Sequence, residues 1–342
     1  MSKLLLETLH GKATPRRPLW IMRQAGRYLP EYRALRERHS FEELSRNAEL
    51  AAAVTLQPLA RFPLDAAIIF ADLMSPIPAT GLDVRFAPGP VIDRPIRTAC
   101  DVDAIRIPSG GEIAPEVAAA LKTVRSALAD DTALLGFAGS PWSLAAYLVQ
   151  GKSAPGFPAL RAMLARDPGL VRALLDRLST LVVEYITAQV AAGADAIQIF
   201  DTWAGVLSLA DWRCAVKPHL ERILRETAPL GIPRILFVQD ASHLVRECAA
   251  LPAEAIAVDW REDLAALRSD LGPRFVMQGN LDPAILLAGA DATRDAASSL
   301  LARVPAHGHI VNLGHGILPE TPIESVHALV DVVHGEGQQW VT

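Results

Sequence analysis

The chain has 342 residues, 51% hydrophobic and 21% charged, a balance that suits one large packed unit or two ordinary domains and excludes a disordered or fibrous protein. A formal net charge of −5 argues against a generic nucleic-acid-binding face, so any cationic cluster has to be a local site. Cys100, Cys214 and Cys248 are scattered without Cys-x-x-Cys or His-x-Cys spacing, which supports neither a disulfide framework nor a zinc site.

At the N-terminus, Leu4–Leu6 is too short for a signal-peptide core, and no uninterrupted apolar run reaches membrane-spanning length. The expectation is a soluble cytoplasmic protein with no membrane and no nucleic-acid partner. The first strand-like run is Leu19–Met22, cut off by Arg23, Gly26 and Pro30. Arg23, Arg27 and Arg33 then fall within eleven residues, with Tyr28 and Tyr32 between them. Planar guanidinium forks clustered at a strand end suit a carboxylate or phosphate cradle, and a solvated loop is the ordinary alternative.

Further short apolar runs follow at Ala67–Phe70, Leu134–Phe137, Ala196–Phe200, Ile235–Val238, Ala255–Val258, Phe275–Gln278 and His309–Asn312. Their near-continuous apolar character predicts parallel strands buried on both faces. Helical periodicity fills the intervals, most clearly over Leu170–Ala192, with Asp167-Pro168 as the start signal and Gly193 as the stop. Eight strands alternating with helices predict an α/β chain folded as a single (β/α)8 TIM barrel over residues 1–342. An open doubly wound sheet is the second choice, because no Gly-x-Gly-x-x-Gly follows the first strand. Residues 79–108, with six prolines or glycines, predict an irregular or hairpin insertion after the second strand.

In such a barrel, chemistry sits at the C-terminal strand ends. The residues found there are Arg23 and Arg27, Asp72, the Gly139–Trp142 turn leading to Tyr147, Asp201-Thr202-Trp203, Gln239-Asp240, Asp259-Trp260, Gly279–Asp282, and Gly314-His315-Gly316. Asp72, directly after a buried run, is a candidate desolvated carboxylate or a cap. Tyr147 is a candidate phenol or a packing residue, and Thr202 a hydroxyl donor or a helix cap. His315 has glycines on both sides, which leave room for a ligand. Asp259 and Asp282 read as turn and N-cap residues. No Ser/His/Asp arrangement, Walker loop or metal cluster has supporting context. Arginines, one carboxylate, hydroxyls and a histidine suit a polyanionic substrate and a cationic intermediate.

The stretch Met22-Arg23-Gln24-Ala25-Gly26-Arg27-Tyr28-Leu29-Pro30-Glu31-Tyr32-Arg33 resembles the N-terminal signature of the uroporphyrinogen decarboxylase family. Leu56–Leu59, Phe62–Asp72, Gly136–Leu144, Gln278–Pro283 and Asn312–Gly316 resemble the same family in the same order. The resemblance implies a cofactor-free, metal-free (β/α)8 barrel, a homodimer, that decarboxylates the four acetates of the tetrapyrrole uroporphyrinogen III. It also implies substrate contacts from Arg23, Gln24, Ala25, Gly26, Arg27, Asp72, Tyr147, Thr202 and His315, with Asp72, Arg23 and Tyr147 catalytic. Thr202 departs from the serine that many members carry, keeping the hydroxyl and adding a methyl. Two other classes stay in view: zinc-dependent methyltransferases that share the barrel, and a non-catalytic tetrapyrrole carrier.

Overall fold

The computed structural model describes residues 3–87, 89–273 and 275–335, so the first two and last seven positions of the expected 1–342 domain lie outside the described residues. Among the described residues nine strands form: β1 (Ala66–Ile68), β2 (Arg85–Phe86), β3 (Pro90–Val91), β4 (Ala133–Gly139), β5 (Ala196–Asp201), β6 (Arg234–Val238), β7 (Ala255–Ala257), β8 (Val276–Gln278) and β9 (His309–Ile310). Seven of them pair in one sheet in the order β1-β4-β5-β6-β7-β8-β9, every pairing parallel. Apolar runs such as Ala133–Gly139 and Arg234–Val238 are buried at every position, as a sheet covered on both faces requires.

Helices make the crossovers. Pro168–Ala191 joins β4 to β5, with Asp167 as N-cap accepting from the Leu170 N–H at 2.9 Å and Gly193 at φ 105 beyond the end. Lys217–Thr227 leads to β6, Leu264–Leu271 to β8, Ala290–Arg303 to β9, and Ile323–Gly335 follows the last strand. Most helix stripes and strand faces share one continuous core, and a second cluster lies beneath Leu19, Tyr28, Phe62 and Leu329.

The expected first strand, Leu19–Met22, is not a strand. It makes a single parallel bridge, Leu19 to Val311, and its backbone bonds reach both sheet edges: Val311 N–H donates to Pro18 O (2.9 Å) and Asp65 N–H to Leu19 O (2.9 Å). Side chains take the remaining donors. Asp65 accepts from Leu19 N–H (2.7 Å), Gln24 from Ile21 N–H (3.1 Å) and Asn312 from Met22 N–H (2.9 Å). A ladder needs those donors, so the segment stays irregular, and the eight expected strands are seven plus this bridge.

Within 79–108, β2 and β3 form a short antiparallel pair, followed by the helix Ala99–Asp103, which the composition of this stretch did not indicate. The pair is anchored: Ile92 N–H donates to Gly151 O at 2.7 Å, and Ile96 N–H to Leu148 O at 3.0 Å. Inside the sheet, Trp20 Nε1–H donates to Gln278 Oε1 (2.9 Å) and Gln278 Nε2–H to Gln198 Oε1 (3.1 Å). This buried chain spans from the N-terminal segment to β5, a cross-brace that an all-apolar interior would lack.

Candidate active site

Arg23 stands where the Leu19–Met22 segment ends, at φ 62, a left-handed backbone that costs a non-glycine residue roughly 1–2 kcal/mol. Such strain persists only where the surroundings impose it. Gln24 is fully buried between the Ile21 N–H and the Ala66 carbonyl, to which its Nε2–H donates at 2.9 Å, and this pins the turn. The Gln24 side chain is therefore committed to the backbone, and only its main chain remains for a ligand. Gly316 completes the arrangement, since a Cβ there would lie 2.3 Å from Arg23 Cδ. The stem of Arg23 passes where any other residue would obstruct it.

Arg23 and Arg27 are both open to solvent, and neither guanidinium has a hydrogen bond or ion pair among the described residues. Burial of the cleft wall lowers the Arg23 pKa, with a further push from Arg27, while Tyr147 and Asp72 oppose it. Arg33, by contrast, turns back to donate to the Arg27 and Tyr28 carbonyls, both at 2.9 Å, and so braces the loop. Ala25 and Gly26 are half-buried between these arginines.

Asp72 lies four residues past β1 and is half-buried. Its Oδ1 accepts from the Met74 N–H at 2.8 Å, and its own N–H donates to Ser75 Oγ at 3.1 Å. The turn role and the chemical role are thus compatible, because the second carboxylate oxygen is not used by the turn. Desolvation pushes the carboxyl up to about 6, against the Met74 bond and the Arg23 charge.

Tyr147 is carried by the helix Pro141–Gln150, capped by Ser140, whose Oγ accepts from Ser143 N–H at 3.1 Å. Its ring packs edge-on against Phe157 (5.1 Å) and Trp203 (6.1 Å). Burial raises its pKa, and the charges of Asp72 and Arg23 both reach it. Thr202 is half-buried and caps nothing, since the following turn has Trp203 at its N-cap without a side-chain bond. His315 sits over Phe237 with ring centroids 6.1 Å apart, and burial with Arg23 and Arg261 nearby lowers its pKa to about 4. It is a neutral imidazole at pH 7.

The rim therefore brings Arg27, Asp72, Tyr147 and His315 within electrostatic reach of Arg23. Two features were not singled out from sequence. Asp201, fully buried, accepts from Ser143 Oγ–H at 2.8 Å, and Ser143 Oγ in turn accepts from Trp203 N–H at 3.2 Å, which fixes the turn that carries Thr202. Arg261 lies over the Trp260 ring at 4.2 Å and pairs with Asp240 at 2.5 Å beside His315. Asp259 and Asp282 are structural: Asp259 accepts from the Asp240 and Arg261 N–H groups, and Asp282 caps a turn at Ala284 N–H. Among the described residues no group of three His, Cys, Asp or Glu side chains is placed to hold a metal ion, and no helix is long and apolar enough to cross a membrane.

Residues 1–336 match the family model for uroporphyrinogen decarboxylase (URO-D). The chain is 42% identical over 336 residues to the uroporphyrinogen decarboxylase of Pelobacter propionicus, covering 97% of this chain and 98% of that protein. It is 44% identical over 336 residues to the uroporphyrinogen decarboxylase of Coxiella burnetii, covering 96% and 93%. In fold it is similar to a methyltransferase from Methanosarcina mazei, with a TM-score of 0.83 over 100% of both chains at 21% identity, a likeness of architecture alone.

Proposed function

The chain belongs to the uroporphyrinogen decarboxylase family and is a carboxy-lyase of porphyrin and haem biosynthesis, and on that premise we propose how its rim residues perform the reaction. Each of the four acetate side chains of uroporphyrinogen III loses CO2 and becomes a methyl group, giving coproporphyrinogen III. A carboxylate leaves as CO2 only when the electron pair left behind has a sink. Protonating the pyrrole α-carbon next to the one that bears the acetate makes that sink, a cation spread over the ring and its N–H.

Asp72 is the group that favours this cation. It accepts hydrogen bonds from the pyrrole N–H groups, and its charge interacts more strongly with the cationic ring than with the neutral one, which is the requirement for rate acceleration. One central carboxylate serves four pyrroles, so the macrocycle turns to present each acetate in succession. Arg23 and Arg27, without internal partners, bind substrate carboxylates; each charge-assisted bond contributes about 1.5–3 kcal/mol. Tyr147 and the neutral His315 direct the reacting acetate, and Thr202 supplies a hydroxyl to another carboxylate. Gln24, Ala25 and Gly26 present the loop backbone.

The observation that carries this reading is the half-buried Asp72 within reach of the unpaired Arg23 and of Tyr147. The segment Pro18–Met22, bonded to both edges of the sheet, supports its role as the eighth stave of a (β/α)8 barrel, with β2 and β3 as an insertion in a single domain. A cytoplasmic homodimer with facing clefts accords with the family. The test is anaerobic incubation of the purified protein with uroporphyrinogen III, with products resolved by carboxylate number. Stepwise appearance of seven-, six-, five- and four-carboxylate species is expected. Tight binding without product would mark a carrier, and neither binding nor turnover would overturn the assignment.

A further inference from the structure

Loss of each acetate consumes one proton: ring–CH2–COO⁻ plus H⁺ gives ring–CH3 plus CO2. A first proton adds to the α-carbon beside the acetate-bearing carbon, the bond to the carboxylate breaks with its pair forming an exocyclic C=CH2 that neutralises the ring cation, and that methylene then takes a second proton. The α-carbon returns one of the two to its surroundings. Protons must therefore reach the site in every cycle, while a bound tetrapyrrole covers the cleft side of Asp72.

A cavity of about 430 Å³ reaches Asp72 without touching Arg23, Arg27, Tyr147 or His315. Its polar walls are Ser45, Arg46, Asp72, Ser75, Glu112 and Glu116, with Ala79 at its side. Arg46 and Glu112 are solvent-exposed and Asp72, Ser75 and Glu116 half-buried, so the cavity runs from the surface inward. It holds on the order of ten waters at liquid density. The Ser75 hydroxyl oxygen accepts from Asp72 N–H, and that bond does not use its own O–H. The Tyr185 phenol, 1% exposed and without a hydrogen-bond partner among the described residues, senses the charge of both Glu116 and Asp72. Burial raises the Glu116 carboxyl pKa, against a backbone hydrogen bond and the opposing charge of Arg46.

We propose that this cavity is the proton-access route to the decarboxylation site, with Glu116 as the carboxyl that relays protons from bulk solvent toward the Asp72 side of the bound tetrapyrrole. The inference rests on the Asp72 reading above.

Glu116→Gln keeps shape and hydrogen bonding but cannot relay a proton. Its kcat is expected to fall about 10-fold with KM unchanged, and the D2O solvent isotope effect on kcat to rise. Glu116→Asp should restore most of the rate. Ala79→Leu, which narrows the cavity with Glu116 intact, should reproduce the loss. Wild-type kcat and isotope effect in both Glu116→Gln and Ala79→Leu would overturn the route. So would a Glu116→Gln loss that is accompanied by destabilisation and not rescued by aspartate. Asp72→Asn separates the two readings: if it is inactive while the cavity variants behave as wild type, the relay alone fails; if it is fully active, the Asp72 assignment fails with it.

Discussion

At the N-terminal ends of the strands, Asp65, Asp195 and Glu254 each accept three hydrogen bonds, whereas at the C-terminal ends Asp72 accepts one and the Arg23 and Arg27 guanidiniums make none among the described residues. Asp65 takes both Arg16 nitrogens at 2.7 Å and the Leu19 N–H. Asp195 holds Lys3 at 2.7 Å, Arg125 at 2.9 Å and the Leu134 N–H. Glu254 receives Arg234 through its backbone N–H, Nε and Nη2, at 2.6, 2.8 and 2.7 Å. The same residue types thus do opposite jobs at the two ends of one sheet. Charges that accept several hydrogen bonds hold strands in register, while those short of partners are the ones we propose to meet a ligand's carboxylates and N–H groups.

The largest effect is expected from Asp72→Asn. Turnover is expected to fall by about 10²–10³, read as product formed under anaerobic single-turnover conditions. Folding should not suffer. The Asp72 pKa lies above its unfolded value, so the fold favours the protonated form; that stability is complete below the unfolded pKa and is lost as pH rises through about 6. A neutral amide at pH 7 removes that penalty, and the melting temperature should hold or rise. The wild-type kcat/KM should drop on acidification below about pH 6 as the required carboxylate protonates. His315, already neutral with a pKa near 4, should add no limb between pH 5 and 8.

The mirror experiment is Glu254→Ala. It strands the Arg234 guanidinium, whose side chain is 5% exposed, and should cost about 3 kcal/mol or more of stability in a denaturant melt. The folded fraction should keep its kcat, since Glu254 lies at the far end of the strands. Arg27→Ala should behave inversely. The side chain is exposed and unpaired, so stability should be unchanged, whereas KM should rise roughly 10-fold for one lost charge-assisted bond. Equal KM in the variant would remove Arg27 from the binding site.

How much of this was legible in the sequence differs by end. Buried runs such as Leu134–Phe137 and Ile235–Val238 announce strands because nothing polar interrupts them, and Asp72 stands out by following one directly. The Leu19–Met22 run has the same composition, yet its N–H groups go to Asp65, Gln24 and Asn312, and of these only Gln24 is close in sequence. Asp201 and Asp259 look alike as strand-end aspartates. Burial under Ser143 separates one, and turn bonds to Asp240 and Arg261 the other. Glu116 follows a proline at a helix start, where an acidic residue is the routine choice for the helix dipole, so its place on a cavity wall has no signature in one dimension.

The smallest expected effect tests the rim at its least charged position. Thr202 is held by a turn whose neighbours, Asp201 and Trp203, are both fixed through Ser143 Oγ. That brace acts on the backbone at 203 and on the carboxylate at 201, so it does not depend on what residue 202 carries beyond Cβ. Thr202→Ser deletes one half-buried methyl and keeps the hydroxyl, a change of about 1 kcal/mol at most in packing. If the hydroxyl contacts a substrate carboxylate, Thr202→Ser should leave KM within about 3-fold, while Thr202→Val, similar in shape but without the hydroxyl, should raise it by about 10-fold. Equal KM values for the serine and valine variants would assign Thr202 to the braced turn alone, moving it from the partner-poor side of the comparison to the partner-rich one.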